Sequence, residues 1–335
     1  MAKKITKAHG SGGKYTQELI RTVFLKHFHN DNFLEMNDSA VITADCSCFA
    51  FTTDSHVVKP IFFPGGDIGK LAVAGTVNDL AVSGAIPKYL SCGFIIEEDF
   101  EIKKLEQIAI SMKNTASLAG VKIIAGDTKV VGKGEADGVF INTSGIGFMP
   151  DGVDFSTKNI KPGDKVILSG NIGEHAVAIL LARENYAINS DIISDCNPVN
   201  SMTQELIQRF SSIRIMRDPT RGGVGTVLNE FVENQLYGIR IFENNIPVSD
   251  KVVGICEPFG FDPLLMANEG KFLFIISAED ADESLEILKG FKLGKNAQII
   301  GEVIDKPVGK VLMKTRIGVD RIVNSLVGEI LPRIC

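Results

Sequence analysis

The sequence has no long run of basic residues, no long uninterrupted apolar run and no CxxC pair among its six cysteines. Without clustered lysine and arginine, non-specific nucleic-acid binding is disfavoured, because that affinity comes largely from neutralised phosphates. No apolar stretch is long enough to span a bilayer, and residues 1–14 lack the apolar segment of a secretory signal. These absences predict a cytoplasmic protein that binds neither nucleic acid nor membrane.

The cysteines show no disulfide or zinc pattern, so they indicate reduced thiols in a cytosolic chain. Cys92, Cys196 and Cys256 are predicted to be small core residues. The sixth cysteine, Cys335, is the last residue of the sequence.

A length of 335 residues with a net charge of −6 predicts two domains of α/β or α+β class. Strands and helices alternate in both halves, but without the strict βαβ cadence of a Rossmann domain. The predicted strands are 48–54, 89–96, 121–125, 139–148, 165–168 and 271–277. The predicted helices are 16–27, 68–83, 102–118, 176–183, 202–210, 224–234 and 282–291.

The loop-rich stretch 149–161 is the predicted domain boundary. We expect a glycine-rich flap and helix at 1–36, an ATP-binding and dimerisation domain at 37–150, and an α/β domain at 151–330. The remaining segment, 331–335, is called the tail below, and we expect it to be mobile and extended.

A glycine-rich segment lies near the start, at Gly10, Ser11, Gly12, Gly13 and Lys14. It is not a Walker A loop, because Ala8 and Tyr15 stand where that motif needs glycine and Ser or Thr. Backbone N–H groups and Lys14 suit a flap that closes over phosphates. A disordered N-terminus is the alternative.

Five aspartates lie at predicted element ends: Asp38, Asp54, Asp79, Asp127 and Asp218. Burying several like charges together is costly unless a cation neutralises them. Mg²⁺ prefers oxygen ligands and is commonly bound together with substrate phosphates. If the fold gathers these residues, they form a Mg–nucleotide site; helix capping and turns are the alternative for each one.

Two further segments are candidates for chemistry. Glu269 precedes a buried strand, where a general base with a raised pKa can be presented, although an ordinary turn is an equally good interpretation. Thr128 and Lys129 follow Asp127, which places a cation beside a candidate ligand. His175 is interpreted as a helix-start residue, since no second histidine stands at metal-binding spacing.

Taken together, the motifs resemble the HypE family of hydrogenase maturation factors, within the superfamily of aminoimidazole ribonucleotide synthetase and selenophosphate synthetase. The resemblance runs in order along the whole chain. Its motifs are AHGSGG at 8–13, NDSA at 37–40, TTDS at 52–55, FFPGGDIGKLAVAGTVNDLAVSGAIP at 62–87, AGDTKVV at 125–131, DPTRGG at 218–223, ANEGK at 267–271 and PRIC at 332–335.

The resemblance implies an α+β two-domain synthetase fold, a homodimer with a shared β-barrel, and ATP bound with Mg²⁺ between the domains. It implies phosphate or metal contacts from the flap, from the five aspartates, and from Asn78 and Thr128. The superfamily often has two adjacent aspartates where this chain has Asn37 and Asp38, which leaves the metal count open.

The family's reaction gives Cys335 a role. A carbamoyltransferase, HypF, loads a carbamoyl group onto the thiol, and ATP-dependent dehydration yields a thiocyanate. The thiocyanate supplies cyanide, through a HypC–HypD scaffold, to the iron of [NiFe]-hydrogenase. By resemblance, Glu269 is a candidate base and Lys129 a candidate stabiliser of the transferring phosphate.

Two alternatives stay open at this point. A selenophosphate or purine-pathway synthetase would use the same ATP site on a free substrate, but would not explain PRIC. A non-catalytic nucleotide-binding scaffold would dock partners through the tail.

Overall fold

The computed structural model describes residues 4–6, 9, 18–28, 48–183, 190–326, 331 and 333–335. The predictions for Gly10, Ser11, Gly12, Gly13, Lys14 and Asp38 lie outside these residues. Within them, no helix is both long enough and apolar enough to cross a lipid bilayer.

The elements are numbered here in chain order. The helices are α1 (Leu25–Phe28, continuing a π-helical turn at Ile20–Phe24), α2 (Ile68–Val82), α3 (Ile102–Ala119), α4 (Glu174–Arg183), α5 (Asn200–Arg209), α6 (Gly223–Val232), α7 (Asp250–Phe259) and α8 (Ala281–Lys289). The strands are β1 (Phe49–His56), β2 (Phe62–Phe63), β3 (Gly66–Asp67), β4 (Ile86–Glu97), β5 (Lys122–Val131), β6 (Val139–Phe148), β7 (Lys165–Leu168), β8 (Ile213–Arg217), β9 (Gly238–Phe242), β10 (Leu273–Ile276), β11 (Gln298–Ile304), β12 (Val311–Lys314) and β13 (Asp320–Val323).

A four-stranded sheet, in the order β1-β6-β4-β5, occupies the first half of the chain. The pair β4–β5 is parallel, and the other pairs are antiparallel. One face, called the inner face, packs against α2 and α3 and includes the buried Cys92 and Phe94. The opposite, outer face exposes Phe49, Phe51 and Ile95.

Helix α2 lies between the sheet and the second half of the chain. Asp67 caps its N-terminus by accepting hydrogen bonds from the N–H groups of Gly69 and Lys70, at 2.7 and 3.0 Å. Most of its side chains are buried, because apolar residues occur all round the helix rather than along one stripe. A helix of this kind is a central support, and it fixes the direction of the polar side chains that project from it.

The second half is built on a seven-stranded sheet, in the order β13-β12-β9-β11-β7-β10-β8. It is antiparallel except for β12–β9. Two clusters of buried apolar side chains pack on this sheet. A third cluster contains residues from both halves of the chain. That shared core includes residues of α2, α3 and α4, together with Ile334 of the tail.

The predicted α+β class is confirmed. The sequence-based prediction missed α7 and the strands β2, β3, β8, β9, β11, β12 and β13. Helix α7 contains Pro258, which disfavours a helix prediction. In β11, Gly301 approaches Arg240 so closely that an added Cβ would lie 2.3 Å from its carbonyl oxygen, and an internal glycine weakens a strand prediction.

Candidate functional site

Three of the predicted aspartates approach one another where the two halves meet. Asp54 projects from the inner face of β1, Asp79 lies in the last turn of α2, and Asp218 directly follows β8. The Thr52 hydroxyl donates to Asp79 Oδ2 at 2.9 Å, which fixes that carboxylate against the sheet. Asp79 and Asp218 line a cavity of about 410 Å³, which we call the carboxylate cavity.

These carboxylates perturb one another. Burial, opposed by the Thr52 hydrogen bond and increased by the charge of Asp54, raises the pKa of Asp79 to about 6. Burial and then the charge of Asp79 raise the pKa of Asp218 to about 7. Arg217 and Arg221 act in the opposite direction on Asp79 without cancelling the effect. A group of acids that resists ionisation suits a bound cation, which would favour the charged forms.

Glu269 is the fourth acid in this region, and it is 4% exposed. Its Oε1 has no hydrogen-bond partner among the described residues. Burial, followed by the charges of Asp218, Asp54, Asp195 and Asp79, raises its pKa well above the ordinary value. A buried carboxyl oxygen without a partner is costly to maintain, so this oxygen is suited to contact a bound ligand.

The backbone around Glu269 is held tightly. Its N–H donates to Asp195 Oδ1 at 3.1 Å, and Lys271 Nζ lies 3.3 Å from Asp195 Oδ2. A Cβ at Gly270 would lie 1.9 Å from the Asp195 carbonyl oxygen, so only glycine fits between the two segments. Sequence reasoning missed Asp195 and Lys271, because a buried pair 76 positions apart leaves no local pattern.

Asp127 and Lys129 do not join this group within one chain. Across the sheet, Asp54 of β1 pairs with Thr143 of β6, Thr143 pairs with Cys92 of β4, and Cys92 pairs with Gly126 of β5, so these four residues form one row. Residues of one row share a face of the sheet, so Asp127, one position further, projects from the outer face. Its strand, β5, is also the opposite edge strand from β1. Within a single copy, the fold therefore does not bring Asp127 to Asp54, Asp79 and Asp218.

The neighbours of Asp127 on β5 differ in direction. Lys129 also projects outward, with its Nζ 3.9 Å from Asp127 Oδ2, and both side chains are about 70% exposed (69% and 71%). Thr128 alternates with them and shares the inner face with Phe94, its register partner on β4. It nevertheless lies three strands from Asp54, across the full width of the sheet.

Asn78, which was predicted to contact the nucleotide, uses its side chain inside the protein in this structure. Its side chain is 1% exposed. Its amide donates to the carbonyls of Asn197 and Glu269, both at 3.1 Å, and accepts from the Val199 N–H at 2.8 Å. With both N–H groups used inside the protein, Asn78 links α2 to the second half and positions the backbone of Glu269.

The tail is docked against its own chain in the structure. Val57 N–H donates to the Cys335 carbonyl at 3.0 Å, and Lys59 N–H donates to the Arg333 carbonyl at 3.1 Å. The Arg333 side chain donates to Val57 O at 2.9 Å and to Asp137 at 2.6 Å. The structure thus shows one docked position of the tail, and its predicted mobility stays a prediction. Arg333 therefore binds protein groups of the first half of the chain.

Cys335 lines a second cavity of about 340 Å³, which we call the tail cavity. Ser55, Arg221 and Gly222 also line it. Ser55 adjoins Asp54, and the charge of Arg221 lowers the pKa of Asp79, so the tail cavity lies beside the acidic group. Gly222 and Gly223 both have positive φ, 78° and 61°. This explains the glycine pair of the DPTRGG motif, since an added Cβ at Gly223 would meet the Leu264 carbonyl at 2.5 Å.

The donor set fits a metal that arrives with a nucleotide. In the described parts of the chain, no group of three or more His, Cys, Asp or Glu side chains is arranged to hold a metal ion. Mg²⁺ in nucleotide sites typically takes one or two carboxylates and completes its shell with phosphate oxygens and water. The acids beside the carboxylate cavity meet that requirement.

The fold and these motifs define an AIR synthase related protein. Residues 36–149 match the family model "AIR synthase related protein, N-terminal domain", and residues 161–314 match the model of the C-terminal domain.

Within that class, the chain belongs to the HypE family. It is 46% identical to the carbamoyl dehydratase HypE of Rhizobium leguminosarum bv. viciae, over 99% of this chain and 95% of the relative. A crystal structure of the hydrogenase maturation protein HypE in complex with ATP superposes with a TM-score of 0.94 at 41% identity, covering 98% of this chain and 99% of that one. A HypE–HypF complex structure superposes with a TM-score of 0.81 at 46% identity, covering 94% and 100%.

Proposed function

We propose that this protein is an ATP-dependent carbamoyl dehydratase that acts on its own tail and supplies cyanide for [NiFe]-hydrogenase maturation. The observation that carries the proposal is the position of Cys335. Cys335 and Arg221 both line the tail cavity. That cavity adjoins the acids of the carboxylate cavity, since the charge of Arg221 acts on Asp79. A thioester-like group on Cys335 is thereby held next to a site suited to a nucleotide and its cation.

The reaction converts Cys–S–C(=O)–NH₂ to Cys–S–C≡N. The carbamoyl oxygen attacks the γ-phosphorus of ATP, and ADP leaves. This O-phosphorylation turns a poor leaving group into a good one. The nitrogen loses one proton as the O-phosphorylated imidate forms and its second proton as the C–O bond breaks, which releases phosphate and leaves the nitrile on sulfur. The net change is removal of one water at the expense of ATP hydrolysis.

Glu269 is the proposed base for the amide proton. Its carboxyl is buried, with one oxygen unpartnered among the described residues, and its raised pKa makes the ionised form a stronger base. Arg221, which lines the tail cavity, is placed to stabilise negative charge on the transferring phosphoryl group.

We propose that Asp54, Asp79 and Asp218 hold the nucleotide through Mg²⁺, with Asp38 and the Gly10–Lys14 flap as further contacts predicted from the motifs. When bound, the metal supplies charge neutralisation at the phosphates. The raised pKa values of Asp79 and Asp218 support this, because a cation relieves the repulsion that raises them.

A homodimer is part of the proposal. The outer face exposes Phe49 and Phe51, at 61% and 64%, beside Ile95 at 44%. A second copy covering this face would close the two four-stranded sheets into a barrel and remove these side chains from water. Asp127, Thr128 and Lys129 lie away from the acids of their own chain, so we propose that they act across the dimer.

The proposed partners follow from the chemistry of the tail. A carbamoyl group must be loaded onto Cys335, which we assign to a HypF carbamoyltransferase; a solved relative is described as a HypE–HypF complex. The nitrile must then be passed on, which we assign to a HypC–HypD scaffold. These steps place the protein in the cytoplasm.

Intact-protein mass tests the function. The chain carbamoylated at Cys335 should lose the mass of one water when Mg–ATP is added, and a Cys335→Ala chain should neither load nor change. A carbamoyl group that loads but never loses water would leave a nucleotide-binding scaffold instead. Failure to load with an active HypF would remove Cys335 from the reaction.

A further inference from the structure

His175, at the start of α4, is a buried histidine that the proposed reaction does not use. It is fully buried, and its ring stacks edge-on against Phe63 with centroids 5.7 Å apart. Its Nε2 lies 2.8 Å from the main-chain carbonyl oxygen of Ile334, and its Nδ1 lies 2.7 Å from Ser194 Oγ. It therefore touches the residue directly before Cys335.

These contacts fix the tautomer of His175. A carbonyl oxygen only accepts, so Nε2 bears the proton and donates to Ile334. In the neutral ring Nδ1 then accepts, and the Ser194 hydroxyl donates to it. The Cys196 N–H donates to Ser194 Oγ at 3.0 Å, which holds the hydroxyl in place. The Cys196 N–H, the Ser194 hydroxyl and the His175 ring therefore form a chain of hydrogen bonds that ends at the Ile334 carbonyl of the tail.

The geometry points to His175 as the positioning residue for the tail: with Ser194 behind it, the ring holds the last peptide unit so that Cys335 stays at the tail cavity. His175 is the side chain that binds the Ile334 carbonyl, whereas the main-chain N–H of Val57 binds the Cys335 carbonyl and the other anchors act on Arg333. Ile334 is 8% exposed, so its carbonyl would otherwise be buried without a donor.

This role rests on the proposed function for its meaning, since fixing Cys335 matters only if its thiol carries the reacting group. The docking itself does not rest on it. Cys335 is only half-buried in the docked tail, so a tail that undocks exposes the thiol further, and the alkylation rate rises with the undocked fraction. Losing one hydrogen bond is expected to raise that fraction about five- to tenfold.

Two substitutions separate positioning from packing. Glutamine at 175 can place its amide N–H near the position of Nε2, whereas asparagine is one methylene shorter and reaches only towards Ser194. In the full-length chain we therefore expect His175→Asn to raise the iodoacetamide alkylation rate of Cys335 about five- to tenfold. His175→Gln should stay within about twofold of wild type.

The readout is the peptide 330–335, released by a protease that cleaves after Glu329 and quantified by mass spectrometry. Cys48, which is exposed, provides an internal reference whose alkylation rate should not change. Ser194→Ala is the second variant in case His175→Asn does not fold, and it should raise the rate by a smaller factor in the same direction.

Equal alkylation rates in wild type, His175→Asn and Ser194→Ala would overturn the inference, even if thermal stability fell. Single-turnover dehydration of the preloaded chain gives the link to function. It should fall in His175→Asn, by a smaller factor than alkylation rises because it follows the docked fraction, and stay near wild type in His175→Gln, with ATP affinity unchanged. If alkylation responds as expected but no variant, nor wild type, dehydrates the tail, positioning stands and the proposed function fails.

Discussion

The side-chain amide of Asn78 and the main-chain carbonyl of Glu269 lie 3.1 Å apart, across the junction of the two halves. Asn78 belongs to the central helix α2, and Glu269 precedes β10 in the other half. This single contact ties the buried candidate base to the helix that also presents Asp79. The proposed base and the proposed nucleotide ligands are therefore parts of one rigid arrangement.

Replacing Asn78 should destabilise the whole protein. Asn78→Ala leaves the Val199 N–H and the carbonyls of Asn197 and Glu269 without their partner. We expect a loss of about 2–4 kcal/mol in the free energy of unfolding, measured with urea. Asn229→Ala is a matched control at a half-buried asparagine in the second half, away from this junction. A loss in Asn78→Ala no larger than in this control would contradict the role.

Removing one acid should have opposite effects on stability and on binding. Asp218→Asn removes a charge that burial and Asp79 both disfavour, so the protein without nucleotide should melt a few degrees higher. The same change should weaken Mg–ATP binding at least tenfold, as measured by calorimetry. A variant that binds Mg–ATP as tightly as wild type would exclude Asp218 from the site.

Glu269→Gln tests the base without changing the shape of the side chain. We expect single-turnover dehydration of the carbamoylated tail to fall about 10²- to 10⁴-fold, the usual contribution of a positioned base. Loading by HypF should be unaffected, because that step occurs elsewhere. Glu257→Gln is the matched control at an exposed position in α7. Dehydration that proceeds at the wild-type rate in Glu269→Gln would assign proton removal to another group.

Stability should decrease on the acid side because of His175. Burial lowers the pKa of His175 from its ordinary value of 6.5, although Asp195 opposes the shift. Below about pH 6.5 the unfolded chain therefore binds more protons than the folded chain, and the free energy of unfolding falls as pH falls. His56 is shifted in the same direction, mainly by burial. The test is urea unfolding between pH 5 and pH 8: His175→Gln should show a smaller slope than wild type, and an unchanged slope would contradict the assignment.

The dimer proposal depends on the outer face. Phe51→Glu puts a charge into the surface that a second copy would cover, so it should shift sedimentation from dimer to monomer. Leu236→Glu is the matched control, since Leu236 is 89% exposed but lies in the second half. A dimer that persists in Phe51→Glu and dissociates in Leu236→Glu would move the interface to the other half.

The sequence predicted the aspartate group only in part, and the register explains why. Acids at the ends of neighbouring elements can be predicted to approach one another, and Asp54, Asp79 and Asp218 do. The direction of Asp127 could not be predicted, because β4 and β5 shift register between Leu90 and Ser91. A shift of one residue moves a side chain to the other face of a sheet.

His175 shows a second limit of sequence reasoning. Its partner is a main-chain carbonyl 159 positions away, and a main-chain acceptor has no residue type to recognise. Asn78 was recognised as a candidate from its motif, but its side chain serves the protein interior. The pattern of helices and strands followed from hydrophobic periodicity, whereas short strands such as β12 and β13 have too few residues to show it.

Transfer of the carbamoyl oxygen to phosphate tests the central claim most directly. The tail is loaded with ¹⁸O in the carbamoyl carbonyl, Mg–ATP is added for a single turnover, and the inorganic phosphate is analysed by mass spectrometry. O-phosphorylation followed by C–O cleavage predicts one ¹⁸O in the phosphate for each nitrile formed on Cys335. Unlabelled phosphate, with the label released into water or kept on the tail, would contradict the account.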